Sequence, residues 1–333
     1  MKGFNSWQII YLMKTIAKIT YISQIIEQIN VVTESCGQVL LYGENIDKGS
    51  MIAGLARGLK VNPAGKILNV GNCELAHCGL GMGIMLDGGN AVLFMKQLDF
   101  LLLGVDHLVN TYNFIRAYRS STRLGSFTIF PIVCDQGYQG PQSSLNSAGD
   151  LASLADIDVY CLNAKEDAAY VIGDAFVKPG LRIICTSQRM FGESPLEIPM
   201  VTRSPDNAIY KYMAGSSITI MCYNFSLRKG LEIADQLRLS GISADLFHIN
   251  FVPRMKLEIL VESCARTGKL VILDDSKSAA KFGDMLISEL YRRGVRTSIR
   301  FLTRRGCPSG EHGVSSDQFQ IDHEAVVAFA QAG

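Results

Sequence analysis

The chain has 333 residues, 48% of them hydrophobic and 19% charged, with a formal net charge of +1. That length can hold two domains with separate cores, and the charge balance removes any electrostatic case for nucleic acid or an anionic membrane surface as a partner. Nine cysteines, an odd number spread along the chain, read as reduced and mostly buried thiols of a cytoplasmic protein rather than as a disulfide framework.

Residues 1–30 open with an apolar stretch that Lys14 and Lys18 interrupt. No uncharged run reaches the roughly 18 residues of a membrane span, and no small-residue cleavage site follows a signal-like core. Ile19, Ile22, Ile25, Ile26 and Ile29 fall on one helical stripe, so this extension reads as an amphipathic helix docking on the chain's own body or on a partner. Beyond it, strand-like and helix-like runs alternate. Six apolar runs (38–43, 66–71, 91–95, 127–135, 158–163 and 182–187) precede a second series at 217–224, 245–251, 270–275 and 297–303. Their near-continuous apolar character suits parallel strands covered on both faces. Between them lie helical patterns such as 226–239, where Leu227, Leu231, Ala234 and Leu237 share a face and Gly241 supplies a stop. This rhythm predicts an α/β fold of two doubly wound domains. The segment 192–216 has three prolines and no clean periodicity, which places a boundary there, with domains over 31–195 and 210–333. A Gly-, Gln- and Ser-rich loop at 136–150 follows a strand, where ligands of open α/β sheets bind.

Chemistry is expected in the stretch 70–116. Glu74 stands alone ahead of three alternate glycines, Gly79, Gly81 and Gly83. Each glycine costs a helix roughly 1 kcal/mol against alanine, a cost tolerated where a backbone or ligand must come close. A carboxylate opening such a helix is favoured by the helix N-terminus when ionised, while burial favours the protonated acid. A group near that balance can share a proton with a ligand. Other readings have less behind them. GLGMG (79–83) does not directly follow a strand, as a dinucleotide loop requires. Cys73, His77 and Cys78 lack a second ligand pair and read as structural residues in a buried segment. No G-x-S-x-G elbow is present. His107 reads as a satisfied core residue, His248 as facing an interface, and His312 and His323 as exposed. For Glu74 itself a helix-capping or core-pairing role stands beside the catalytic one.

Several ordered motifs carry a resemblance. LLYGENI (40–46) with glycines at 49, 54 and 58, CELAHCGLGMGIMLDG (73–88), LDFLLLGVDHLVNTYNFIR (98–116), QGPQSS (139–144) and the run 242–275 occur in sequence. Together they resemble the beta subunit of the thiamine-diphosphate-dependent decarboxylating component of 2-oxoacid dehydrogenases, and more broadly the C-terminal part of transketolase-type enzymes. The resemblance covers about residues 19–330. It implies a pyrimidine-binding domain with a mostly parallel sheet over 31–195 and a transketolase C-terminal-like domain over 210–333. It puts Glu74 on the catalytic glutamate, which shares a proton with a ring nitrogen of the cofactor's aminopyrimidine. For that role a buried carboxyl group is well suited.

The resemblance also implies a division of labour. The family's Gly-Asp-Gly motif for the diphosphate and its magnesium is missing: the Gly-Asp pairs at 149–150, 173–174 and 283–284 all lack the final glycine. Thiamine diphosphate would therefore meet this chain by its pyrimidine end, with no metal ligands here and Mg2+ held by an alpha-type partner subunit in a heterodimer or heterotetramer. The apolar run 97–116, read as a helix, is then an interface element. Two positions depart from the family pattern. Gln97 aligns with the aromatic that stacks on the pyrimidine, with Phe94 and Phe100 nearby. Ser143 replaces the loop histidine, with Tyr138 and Gln142 as polar neighbours. The implied activity is cleavage or formation of a C–C bond beside a carbonyl, as in 2-oxo acid decarboxylation with acyl transfer. Ketol transfer by a split transketolase, and a non-catalytic stabilising partner of a thiamine enzyme, are the alternatives.

Overall fold

The computed structural model describes residues 19–118, 124–136, 146–253, 255–278, 280–304 and 319–332. Among the described residues twelve strands build two six-stranded sheets. The first contains β1 (Leu40–Gly43), β2 (Lys66–Asn69), β3 (Asn90–Met95), β4 (Ser126–Val133), β5 (Asp158–Cys161) and β6 (Gly180–Ser187), in the order β2-β1-β3-β4-β6-β5. All its pairings are parallel. The second contains β7 (Thr202–Arg203), β8 (Ile209–Met213), β9 (Ile218–Tyr223), β10 (Ala244–Ile249), β11 (Lys269–Asp274) and β12 (Ser298–Thr303), in the order β12-β11-β9-β10-β8-β7. Its β12, β11, β9 and β10 run parallel, and β8 and β7 add an antiparallel edge. The α-helices are α1 (Tyr21–Ser35), α2 (Glu74–Leu86), α3 (Tyr112–Tyr118), α4 (Ala148–Ala155), α5 (Lys165–Ala175), α6 (Leu227–Leu239), α7 (Glu258–Thr267), α8 (Phe282–Arg292) and α9 (His323–Gln331). The chain is thus two mostly parallel α/β sheets, as the alternating pattern predicts.

Every β-residue of β4, β6, β9 and β10 is buried, which is why these runs read as continuous apolar stretches. The segment 192–216 behaves differently from the expectation of an aperiodic boundary, because β7 and β8 form within it. Asn207 takes a left-handed φ of 57° between them, and Ser204 Oγ accepts from the N–H of Ile209 at 2.9 Å. Pro205 opens the turn between the two strands, and Lys211 interrupts the apolar pattern of β8. Its ammonium reaches Asp245 Oδ1 at 2.8 Å, so a charged residue sits in a strand without leaving its charge unpaired.

Helix α1 starts with a capping box between Thr20 and Ser23. It buries Ile25, Ile26 and Ile29 and lies against α5, and its Tyr21 hydroxyl donates to Leu162 O at 2.7 Å. The isoleucine stripe therefore packs on the chain's own body. Ile19 departs from it, being 62% exposed just before the helix begins.

Two polar clusters tie the halves together. Asp167, at the start of α5, accepts from the N–H groups of Asn163 and Ala164, each at 3.1 Å, and from Tyr212 Oη at 3.1 Å. Its Oδ2 also lies 3.3 Å from His248 Nδ1. His248 does face an interface, and that interface is internal. The second cluster joins strand ends. Arg189 Nη2 lies 2.9 Å from Asp275 Oδ2, Arg304 Nε lies 2.6 Å from Asp275 Oδ1, and Arg304 Nη2 donates to Asp135 O at 2.9 Å. Burial pushes the Asp275 carboxyl up, and the two guanidinium groups oppose that rise.

Candidate active site

Glu74 is the first residue of α2, and the N-cap residue Cys73 makes no side-chain cap bond. The first turn therefore keeps its partial positive charge available to a carboxylate. Glu74 is half-buried and makes no salt bridge among the described residues. With its amide nitrogen turned toward the carboxylate, Asn72 donates to Glu74 Oε1 at 3.1 Å and to Oε2 at 3.3 Å. Position 74 is thus held by the helix end and a neutral amide, and no cation is committed to neutralising it.

The glycines that flagged this helix serve packing more than ligand approach. A Cβ at Gly81 would lie 2.2 Å from the ring of Phe127 on β4, and one at Gly79 would lie 3.1 Å from His107 Nε2. Only at Gly83, of these three, would it meet open space. Gly81 lies two turns beyond Glu74 on nearly the same helical face, so its close seat on β4 sets where the carboxyl group stands. Cys78, Met82 and Met85 complete the buried face.

The run 98–116, expected as one helix, is broken into a 3₁₀ turn over Leu98–Gly104, a π turn over His107–Thr111 and then α3. Gly104 explains the break. A Cβ there would fall 2.5 Å from Cys78 Sγ and 3.0 Å from Glu74 O, so the turn must press its backbone onto the start of α2. The outer side of these elements is apolar and exposed: Leu75 and Leu80 on α2, Leu102 and Leu103 on the turn, and Phe114 on α3. Where exposed apolar side chains join into one patch, that patch marks a surface another molecule covers.

The other residues expected at the site are placed as follows. Phe94 is 1% exposed, and its ring packs 5.3 Å from that of Phe130 inside the first sheet's core. Phe100 is half-buried against the core. Gln97 is buried at the head of the 3₁₀ turn, its carbonyl accepting from the N–H of Phe100 at 3.3 Å. Tyr138, Gln142 and Ser143 lie outside the described residues. Cys73, His77 and Cys78 do not converge on a metal. Cys73 is exposed, contrary to the expectation that this segment is buried, while Cys78 points into the core and His77 Nε2 lies 2.6 Å from Gly71 O. No group of three or more potential ligands occurs among the described residues. Burial, aided by the nearby Glu74 charge, pushes the Cys78 thiol up to about 12. Sequence reasoning passes over Asn72 and Gly104. An Asn two places before the glutamate, at a helix entry, is the only local signal for the first.

No protein-family model matches the chain. The pyruvate dehydrogenase E1 component subunit beta of Bacillus subtilis (strain 168) is 21% identical over 283 residues, covering 84% of this chain and 86% of that protein. The mitochondrial subunit beta-2 of Oryza sativa subsp. japonica is 22% identical over 253 residues, 72% of this chain and 65% of that protein. A solved structure described as a split gene transketolase, inactive beta4 tetramer, superposes with a TM-score of 0.68 at 17% identity, over 95% of this chain and 98% of that one. The chain resembles the pyruvate dehydrogenase E1 beta subunits. That similarity to E1 beta subunits spans most of both chains, and the transketolase likeness agrees with the two-sheet fold. No helix among the described residues is long and apolar enough to cross a membrane.

Proposed function

We propose that this chain is the beta-type subunit of a heteromeric thiamine-diphosphate enzyme that cleaves or forms a C–C bond beside a carbonyl, with 2-oxo acid decarboxylation and acyl transfer as the reaction. The observation that carries this reading is Glu74: a half-buried carboxyl group at a helix N-terminus, paired with no cation among the described residues and bordered by exposed apolar side chains. A carboxyl group so placed can exchange a proton with a neutral heterocycle once a second chain shuts out water. The donor set fits the pyrimidine end of thiamine diphosphate, with Glu74 holding a proton at a ring nitrogen and Asn72 orienting the carboxylate. When bound, the cofactor supplies the nucleophilic carbon and the electron sink, while the protein binds and orients. With Phe94 sealed in the core, Phe100 and Gln97 are the groups of this chain left to border the pyrimidine.

The sequence has no diphosphate–magnesium motif, so that half of the site is assigned to an alpha-type subunit that also covers Leu75, Leu102 and Leu103. Doubling of the pair by symmetry gives a heterotetramer. Buried thiols such as Cys134 and Cys185 suit a reducing cytoplasm. The test is Glu74→Gln in the complex co-purified with its alpha-type partner, assayed on 2-oxo acids and on ketose phosphates. Loss of about 10²–10⁴ in turnover, with the complex still eluting intact, is expected. Full activity of the variant refutes the assignment, and turnover confined to ketose phosphates converts the reading to ketol transfer.

A further inference from the structure

The second sheet carries a site of its own. From β9 the chain passes through α6 to β10 on one side, and from β11 it passes through α8 to β12 on the other. The carboxyl ends of β9 and β11 are therefore the point where the connections diverge, the place where open α/β sheets bind ligands. A cavity of about 230 Å³ lies there. Tyr223 at the end of β9, Ser276 and Ser278 after β11, Lys281 and Phe282 at the head of α8, and Asp150 of α4 line it.

Its chemistry is specific. Tyr223 and Phe282 stack with ring centroids 4.5 Å apart and planes at 11°, forming a flat apolar wall. Ser276 is 1% exposed and Ser278 6% exposed, yet neither hydroxyl has a hydrogen-bond partner among the described residues. Buried hydroxyls are almost always satisfied, so two orphans lining one cavity point to something that fills it. Lys281 is fixed at the rim, its Nζ donating to Ser276 O at 2.7 Å. The N-terminus of α8, an 11-residue helix, adds partial positive charge on the same side. Asp274 does not compete for a ligand, since its carboxylate already accepts the N–H groups of Ser276 and Phe282 at 2.9 and 3.1 Å. Asp150 is the one carboxylate among the lining residues.

The geometry points to a binding site for a small carboxylate that carries a hydrogen-bond donor beside it, a hydroxy acid or an amino acid. The carboxylate accepts from Ser276, Ser278 and Lys281. The hydroxyl or ammonium donates to Asp150, and the side chain lies on the Tyr223–Phe282 wall. A volume near 230 Å³ lies below the roughly 300–1,000 Å³ of pockets for drug-sized ligands, so it suits a small organic acid.

The test uses the full chain, titrated calorimetrically with lactate, malate, serine and leucine as probes, and repeated on Ser276→Ala/Ser278→Ala and on Ala280→Trp, which fills the rim from the exposed side. Removing hydroxyls that bond nothing leaves the fold intact, so the double variant is a clean loss of ligand contacts. At least one probe is expected to bind the wild type, with affinity at least tenfold weaker in the double variant and undetectable in Ala280→Trp. The Glu74→Gln chain is expected to bind that probe as the wild type does, so this site and the proposed catalytic role stand or fall separately. Absence of binding by all four probes, equal binding by the variants, or loss of binding in Glu74→Gln would overturn the assignment. So would a crystal structure showing ordered water alone on both serines in the presence of the probe.

Discussion

Gly81→Ala and Gly83→Ala are the same substitution two positions apart on one helix, and their effects should have opposite signs. In both cases alanine gains about 1 kcal/mol of helix propensity over glycine. At position 83 nothing opposes that gain, because the added Cβ meets open space. At position 81 the Cβ would sit 2.2–2.5 Å from three ring atoms of Phe127. That ring is fully buried on β4, which pairs with strands on both sides, so it cannot swing away. Overpacking of this kind costs roughly 1–3 kcal/mol, and the rigid surroundings put it near the upper end. The expected net effects are a loss of about 2 kcal/mol for Gly81→Ala and a gain of about 1 kcal/mol for Gly83→Ala. At about 2–4 °C per kcal/mol for a unit of this size, midpoints should move down by roughly 4–8 °C and up by roughly 2–4 °C. Thermal unfolding followed by circular dichroism reads both. A neutral Gly81→Ala would refute the claim that α2 needs its glycine to seat on β4, and with it the account of how Glu74 is positioned.

Four further outcomes are expected. Alkylation by iodoacetamide followed by mass spectrometry should label exposed Cys73 first and leave Cys78, Cys134 and Cys264 untouched, because burial pushes each of those thiols up to about 12. Binding of the alpha-type partner should then protect Cys73, and undiminished labelling in the complex would place the interface elsewhere. Burial pushes the Asp245 carboxyl up, but hydrogen bonds from Lys211, Ser263 and the Gly215 N–H hold it below its ordinary value. A depressed value means that this stabilisation is complete above the unfolded value of about 3.9 and fades as pH falls through the lower folded one. Urea midpoints should therefore drop below about pH 4, and Asp245→Asn should lose about 3 kcal/mol at neutral pH while flattening that acid dependence. An Asp245→Asn midpoint equal to wild type at pH 7 would contradict the pairing with Lys211 at 2.8 Å.

How much was legible follows from what each residue answers to. Strands buried on both faces, such as β4 and β9, announce themselves because every position is apolar for the same reason. The hairpin of β7 and β8 was hidden because it lies at an edge, is short, and keeps Lys211 for a partner more than thirty residues away. Glu74 stands out by its isolation and its helix is legible, but spacing alone does not say whether the glycines after it admit a backbone, a side chain or a ligand. Two of them answer to Phe127 and His107, neighbours distant in sequence. The same applies to the run 98–116: apolar periodicity cannot report that Gly104 must lie against Cys78, and that contact bends the chain into 3₁₀ and π turns. Phe94 has the composition of a stacking residue and the address of a core one.

The pairing of Asp167 with His248 and Tyr212 bears on any attempt to divide this protein. A fragment ending near residue 195 would keep Asp167 with its two backbone donors but without the phenol and imidazole that cover it. The complementary fragment would bare a histidine that is otherwise wholly enclosed. Each piece would expose a wet, half-matched seam where the intact chain has a dry one, so the halves should be far less tractable alone than their separate sheets suggest.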